Sequence, residues 1–118
     1  MKIEFVKPEV RAGKEYKGEI TRYKLDERNR AFRVFIVLDK EPQIEFMKRI
    51  DIDWEINSAF AAFCCEMGIY TEADDSAELD ELIDTRVIAV LNKGEDGKLY
   101  VGKIQLDEEY YQEQDAEE

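Results

Sequence analysis

Three stretches with a two-residue hydrophobic repeat, one with a helical repeat and two more with the two-residue repeat follow one another along the chain. From Lys14 to Leu25 the string KEYKGEITRYKL carries β-branched and aromatic residues at spacings of two, the mark of a strand with one buried face. Gly18, in the middle of it, suits a bulge or a sharp bend. The polar Asp26 to Arg30 predicts a loop, and Ala31 to Leu38 (AFRVFIVL) a second strand. Val34, Ile36 and Leu38 fall on one side of that strand and Arg33, Phe35 and Val37 on the other, so both sides are partly apolar. After a turn at Asp39 to Pro42, a third strand runs from Gln43 to Asp53, with Ile44, Phe46, Lys48, Ile50 and Ile52 alternating against Glu45, Met47, Arg49, Asp51 and Asp53.

The period then changes. Asn57 or Ser58 is placed to cap a helix in which Phe60, Phe63, Cys64 and Met67 recur at i, i+3, i+4 and i+7 before Gly68 ends it. Residues 71–77 (TEADDSA) predict an acidic loop, and Glu78 to Ile83 (ELDELI) one or two helical turns with Leu79, Leu82 and Ile83 facing inward. Thr85 to Leu91 predicts a fourth, largely buried strand, Asn92 to Lys98 a hairpin loop with two glycines, and Leu99 to Leu106 a fifth strand. Upstream of all this, Ile3 and Phe5 alternate briefly before Pro8 and Gly13 punctuate a loop. The expected fold class is all-β with one or two short helices. An order of three strands, a helix and two strands is what a five-stranded Greek-key barrel of the oligonucleotide/oligosaccharide-binding (OB) type requires, with its helix between strands three and four.

A chain of 118 residues, 44% hydrophobic, accommodates one domain with a core of its own. The expected division is an OB domain over residues 1–106 and an acidic, disordered tail over 107–118, where seven carboxylates stand with no basic residue. The net charge of −12 argues against nucleic acid until it is divided along the chain. Residues 1–54 carry 13 Lys/Arg against 11 Asp/Glu, and residues 55–118 carry 4 against 18. The start of the chain has no apolar leader, and no stretch approaches the ~18 apolar residues of a membrane span, so a cytoplasmic protein is expected. Cys64 and Cys65 are neighbours on a helix, where side chains diverge by about 100°, and are expected to be reduced structural thiols.

From Phe60 to Leu106 particular strings stand out: the aromatic helix ending Met67-Gly68-Ile69, then Leu79 to Ile83, Arg86 to Val90, and the hairpin exit Gly97-Lys98-Leu99-Tyr100. With the strands before them, these resemble the OB-fold single-stranded-DNA-binding proteins of phages and mobile elements, over roughly 90 residues. In those relatives the short acidic-leucine helix ends in Gly just before strand four; Asp84 stands there in this chain. The resemblance implies binding of single strands in phage or mobile-element replication and recombination, without catalysis. It also implies that the acidic tail competes with DNA for the groove or docks on replication or recombination proteins; the plain alternative is a solubility appendage. The tail lacks a terminal Pro-Phe, leaving Tyr110 and Tyr111 as its apolar anchors.

A strand-binding OB face needs cations for phosphates and rings on which bases stack. Tyr16, Arg22, Tyr23, Lys24, Arg28, Arg30, Arg33, Phe35, Lys48 and Arg49 lie on the first three strands or the loop joining the first two. Lys93, Lys98 and Tyr100 of the last hairpin supply a second wall, weakened by Glu95 and Asp96. The competing reading of each is a solvated charge or an ordinary core ring. With no histidine in the chain, a histidine relay or histidine metal site is excluded. Asp51 and Asp53 share a strand face but are one pair among 29 acidic residues, and neither a phosphate-cradling loop nor a zinc set occurs, so no enzyme, metal or cofactor is expected. Two function classes remain: a sequence-tolerant single-stranded-DNA-binding protein, and an acidic β-barrel interaction module for a basic protein partner. Self-association through a strand edge is compatible with either.

Overall fold

The computed structural model describes residues 1–5 and 9–116. Pro8, expected in a loop, and Glu117 and Glu118, at the end of the acidic run, lie outside the described residues. The chain is mostly β with two short helices. Its strands are β1 (Glu15–Asp26), β2 (Ala31–Leu38), β3 (Glu41–Asp51), β4 (Tyr70–Thr71), β5 (Ser76–Ala77), β6 (Arg86–Lys93) and β7 (Leu99–Leu106). Helix α1 (Ala59–Glu66) lies between β3 and β4, and α2 (Glu108–Ala116) follows β7. Five strands form one antiparallel sheet in the order β3-β2-β1-β6-β7, while β4 and β5 pair separately, spanning Tyr70 and the 71–77 segment expected to be a loop. No helix among the described residues is long and apolar enough to cross a membrane.

The pattern predicts a barrel, but the sheet is not closed into one. Its edge strands β3 and β7 are bridged by a side chain instead: Lys48 Nζ donates to the Gly102 carbonyl at 2.8 Å. Lys48 sits on the inner side of β3, opposite buried Val34, where its ammonium requires a polar partner and finds one on the other edge. Desolvation lowers its pKa from the ordinary lysine value.

The alternation of β2 translates directly into packing. Phe32, Val34, Ile36 and Leu38 are fully buried, joined by Ile20, Leu82, Val87, Leu91 and Val101 from the other elements. Ser58 caps α1, its hydroxyl accepting from the Ala61 N–H at 3.1 Å. The helix lays Phe60 and Phe63 against Phe32, with ring centroids 4.8 and 5.8 Å away. Cys64 is buried in this contact and its thiol is pushed up to about 11, first by desolvation; Cys65 is exposed, and both are free thiols. The expected acidic-leucine turn is a 3₁₀ helix, Leu79–Leu82, that buries Leu82 and leaves Ile83 exposed, contrary to the inward position expected for Ile83. Asp84 follows with φ +69°, the left-handed geometry that glycine adopts without penalty, and its N–H donates to Ile20 O at 2.7 Å.

Gly18 is required for a reason other than bending. A Cβ there would lie 2.5 Å from the Val37 carbonyl oxygen and 3.1 Å from Leu38 Cα, so β1 approaches β2 more closely than any side chain permits. The bulge falls at Thr21 instead, where the β1–β2 register shifts between Ile20 and Arg22.

The acidic run also departs from expectation, being helical from Glu108 to Ala116. Asp107 is buried, and its carboxylate accepts from the Tyr110 N–H at 3.2 Å, capping α2, whose first turn places Glu108 and Glu109 at the favourable end of the helix dipole. Tyr111 Oη accepts from the Arg86 backbone N–H at 2.9 Å, and the Arg86 guanidinium lies 5.6 Å from the Tyr110 ring centroid while pairing with Asp39. The two tyrosines, together with the Asp107 N–H donating to the Arg86 carbonyl at 3.0 Å, tie the segment to β6.

Candidate nucleic-acid interface

The bulge at Thr21 determines which side chains share the outer face. Before it, Gly18 and Ile20 point inward; after it the parity reverses, so Tyr23 and Leu25 turn toward the core and Arg22 and Lys24 turn out. Register across the three strands then aligns these with outward residues of β2 and β3. Lys24 lies opposite Arg33, and Arg33 opposite Arg49. The next row is Arg22, Phe35 and Met47, and the row on the other side is Asp26, Ala31 and Asp51. Adjacent strands being about 4.8 Å apart, the three cations fall within about 10 Å of surface. Like charges directly opposite one another destabilise a sheet, so folding alone gives no reason for this row.

Each row is partly neutralised. Arg22 grips Glu45 with Nε at 3.1 Å from Oε2 and Nη2 at 2.9 Å from Oε1, while its guanidinium carbon sits 3.7 Å over the Phe35 ring. That bond, followed by one from Thr21, holds the Glu45 carboxyl below its usual range. Arg33 and Arg49 are held more loosely, at 3.8 Å from Asp26 and 3.6 Å from Asp51. The Asp26 carboxylate is chiefly engaged by Asn29, whose side-chain amide donates at 2.7 Å and which is the main cause of its lowered pKa. Its loose hold leaves the Arg33 guanidinium able to take an anion from solution.

Arg28 and Arg30 are exposed on the β1–β2 turn at the end of this face. Arg30 has φ +50°, and its carbonyl accepts from the Ile52 N–H at 2.9 Å, strapping the turn to the end of β3. Beside it opens a hollow lined by Glu27, Arg30, Ile52, Asp53 and Trp54. Trp54, the chain's single tryptophan, was missed by the strand and helix periodicities because it falls between them. The signal for it was an aromatic between two carboxylates, outside any apolar repeat.

Several expected site residues lie elsewhere. Tyr16 packs inward and its hydroxyl accepts from the Arg11 N–H at 2.9 Å. Tyr23 also faces the core, its hydroxyl donating to Asp80 Oδ1 at 2.7 Å. Lys48 is committed to the β3–β7 bridge. Lys93, Lys98 and Tyr100 sit at the β6–β7 hairpin, which the ladder places by the start of β1 (Glu15 opposite Val90), whereas Lys24 lies near its far end. The structure thus gathers Arg22, Lys24, Arg33, Phe35 and Arg49, adjoined by Arg28 and Arg30. Chemically the patch offers guanidinium and ammonium donors and one ring already covered by a guanidinium. No family model, curated protein or solved structure matches the chain.

Proposed function

We propose that this chain is an OB-type domain that binds single-stranded DNA with little sequence preference and without catalysis, as in phage or mobile-element replication and recombination. Support for the OB assignment comes from the strand order β3-β2-β1-β6-β7 with α1 between β3 and β6, and from the side-chain bridge between edge strands that a partly open barrel tolerates. The observation that carries the function is the row of Lys24, Arg33 and Arg49 across the outer face of β1–β3. Phosphates would take the place of the long contacts that Arg33 and Arg49 make to Asp26 and Asp51. A base would stack on Phe35 or on the Arg22 guanidinium above it, each such stack contributing about 1–3 kcal/mol.

Fluorescence anisotropy with labelled oligo-dT at about 50 mM salt, where phosphate contacts are strong, tests the reading. Binding is expected, with at least a tenfold loss on the R33E/R49E double substitution, on the order of two phosphate contacts, and a smaller loss on K93E/K98E. Absence of binding at low salt, or indifference to R33E/R49E, would overturn it and favour the acidic interaction module instead.

A further inference from the structure

Among the described residues, the large apolar side chains most open to solvent are Met1, Ile3 and Phe5 at one end of the chain and Trp54 and Ile56 between β3 and α1. Ile3 is 68% exposed, Phe5 90%, Trp54 68% and Ile56 62%. The second group borders a cleft of about 250 Å³ floored by Phe60 and Leu79 and rimmed by Asp53, Glu55 and Asp75. The rim is anionic, which disfavours nucleic acid there and favours an apolar segment carrying a cation. The segment around the first group is net cationic, with Lys2 and Lys7 against the single carboxylate Glu4, which pairs with Lys2 at 3.7 Å. Two-residue spacing also puts Ile3 and Phe5 on the same side of an extended segment, about 7 Å apart.

A chain's own arm is too short to reach its own cleft. The Glu9 N–H donates to Glu41 Oε2 at 3.0 Å, which fixes the arm's root at the β2–β3 turn. Fully extended, Phe5 lies at most about 14 Å and Ile3 about 21 Å from Glu9. The cleft is at the opposite end of β2: Leu38 pairs with Glu41 and Ala31 with Asp51, an interval of roughly 23 Å at about 3.3 Å per residue, and Asp53 lies beyond it.

We infer that the cleft of Trp54 and Ile56 receives the Ile3–Phe5 arm of a second copy of this chain. Such a junction is head-to-tail, so it closes as a reciprocal pair or repeats from copy to copy. This goes beyond strand binding and is tested without DNA. Sedimentation of the full chain is expected to show concentration-dependent association, accompanied by a blue shift of the Trp54 emission. F5D and I56D, both at exposed positions and checked for fold by circular dichroism, are each expected to weaken association at least about tenfold. Mixed together, F5D supplies an intact cleft and I56D an intact arm, so a one-to-one pair re-forms. A wild-type chain that stays monomeric, variants that associate as tightly as wild type, or a mixture that fails to pair would each overturn the inference.

Discussion

Two residues in unusual backbone settings respond to substitution with opposite signs, because one is glycine by steric need and the other is not glycine where glycine fits best. Gly18→Ala pushes a Cβ into the Val37 carbonyl and the Leu38 backbone, neither of which can rotate away, and is expected to cost about 1–3 kcal/mol in urea unfolding. Asp84→Gly relieves a left-handed residue with φ +69° and is expected to raise stability by up to about 1 kcal/mol, the gain being limited by the freer unfolded chain. Glu45 responds to pH. Its folded pKa is depressed below the usual 4.5, chiefly by the Arg22 hydrogen bond, so its contribution is present above about pH 4.5 and is lost as pH falls through the folded value. The difference in melting temperature between wild type and Glu45→Gln is therefore expected at pH 6 and to shrink toward about pH 3. A difference that stays constant over that range would mean that the pair with Arg22 contributes nothing to folding.

At the level of elements, the acidic segment is where charge composition and local structure diverge most. Repulsion among carboxylates argues against a helix, yet the Asp107 carboxylate caps it locally, and the backbone bonds of Arg86 to Asp107 and to the Tyr111 hydroxyl supply tertiary contacts that composition does not reveal. Asp107→Ala is expected to destabilise the whole domain by about 1 kcal/mol in chemical denaturation, as loss of a helix cap does. A residue in a freely solvated tail would change stability by less than about 0.5 kcal/mol. Strand positions were more legible. β2 and β7 run over Ala31–Leu38 and Leu99–Leu106, as their alternation predicts, because a half-buried strand writes its period into the sequence. The two-residue strands β4 and β5 left no such trace, being too short to show a period.

On the scale of the molecule, charge is segregated. A cationic row occupies the outer face of β1–β3, while the cleft beside Trp54 and helix α2 are acidic. If strand binding uses Arg22, Lys24, Arg33 and Arg49, log K should fall against log salt with a slope of about −2 to −3, close to 0.7 per phosphate contacted. Arg33→Glu should flatten that slope by roughly 0.7 or more, a change readable by anisotropy titration between low and physiological salt. The sequence by itself determined the strand and helix periods, the core residues of β2 and α1, and the gathering of basic residues in the first half, because each follows from local spacing or composition. Only the tertiary structure decided which of those basic residues meet. A one-residue bulge at Thr21 reverses the parity of β1, turning Arg22 and Lys24 outward beside Arg33 and Arg49 and Tyr23 into the core. Lys48, one position from Arg49, was drawn to the opposite side by the same two-residue alternation. Register and bulges depend on contacts between distant strands, and those contacts leave no mark in the local pattern.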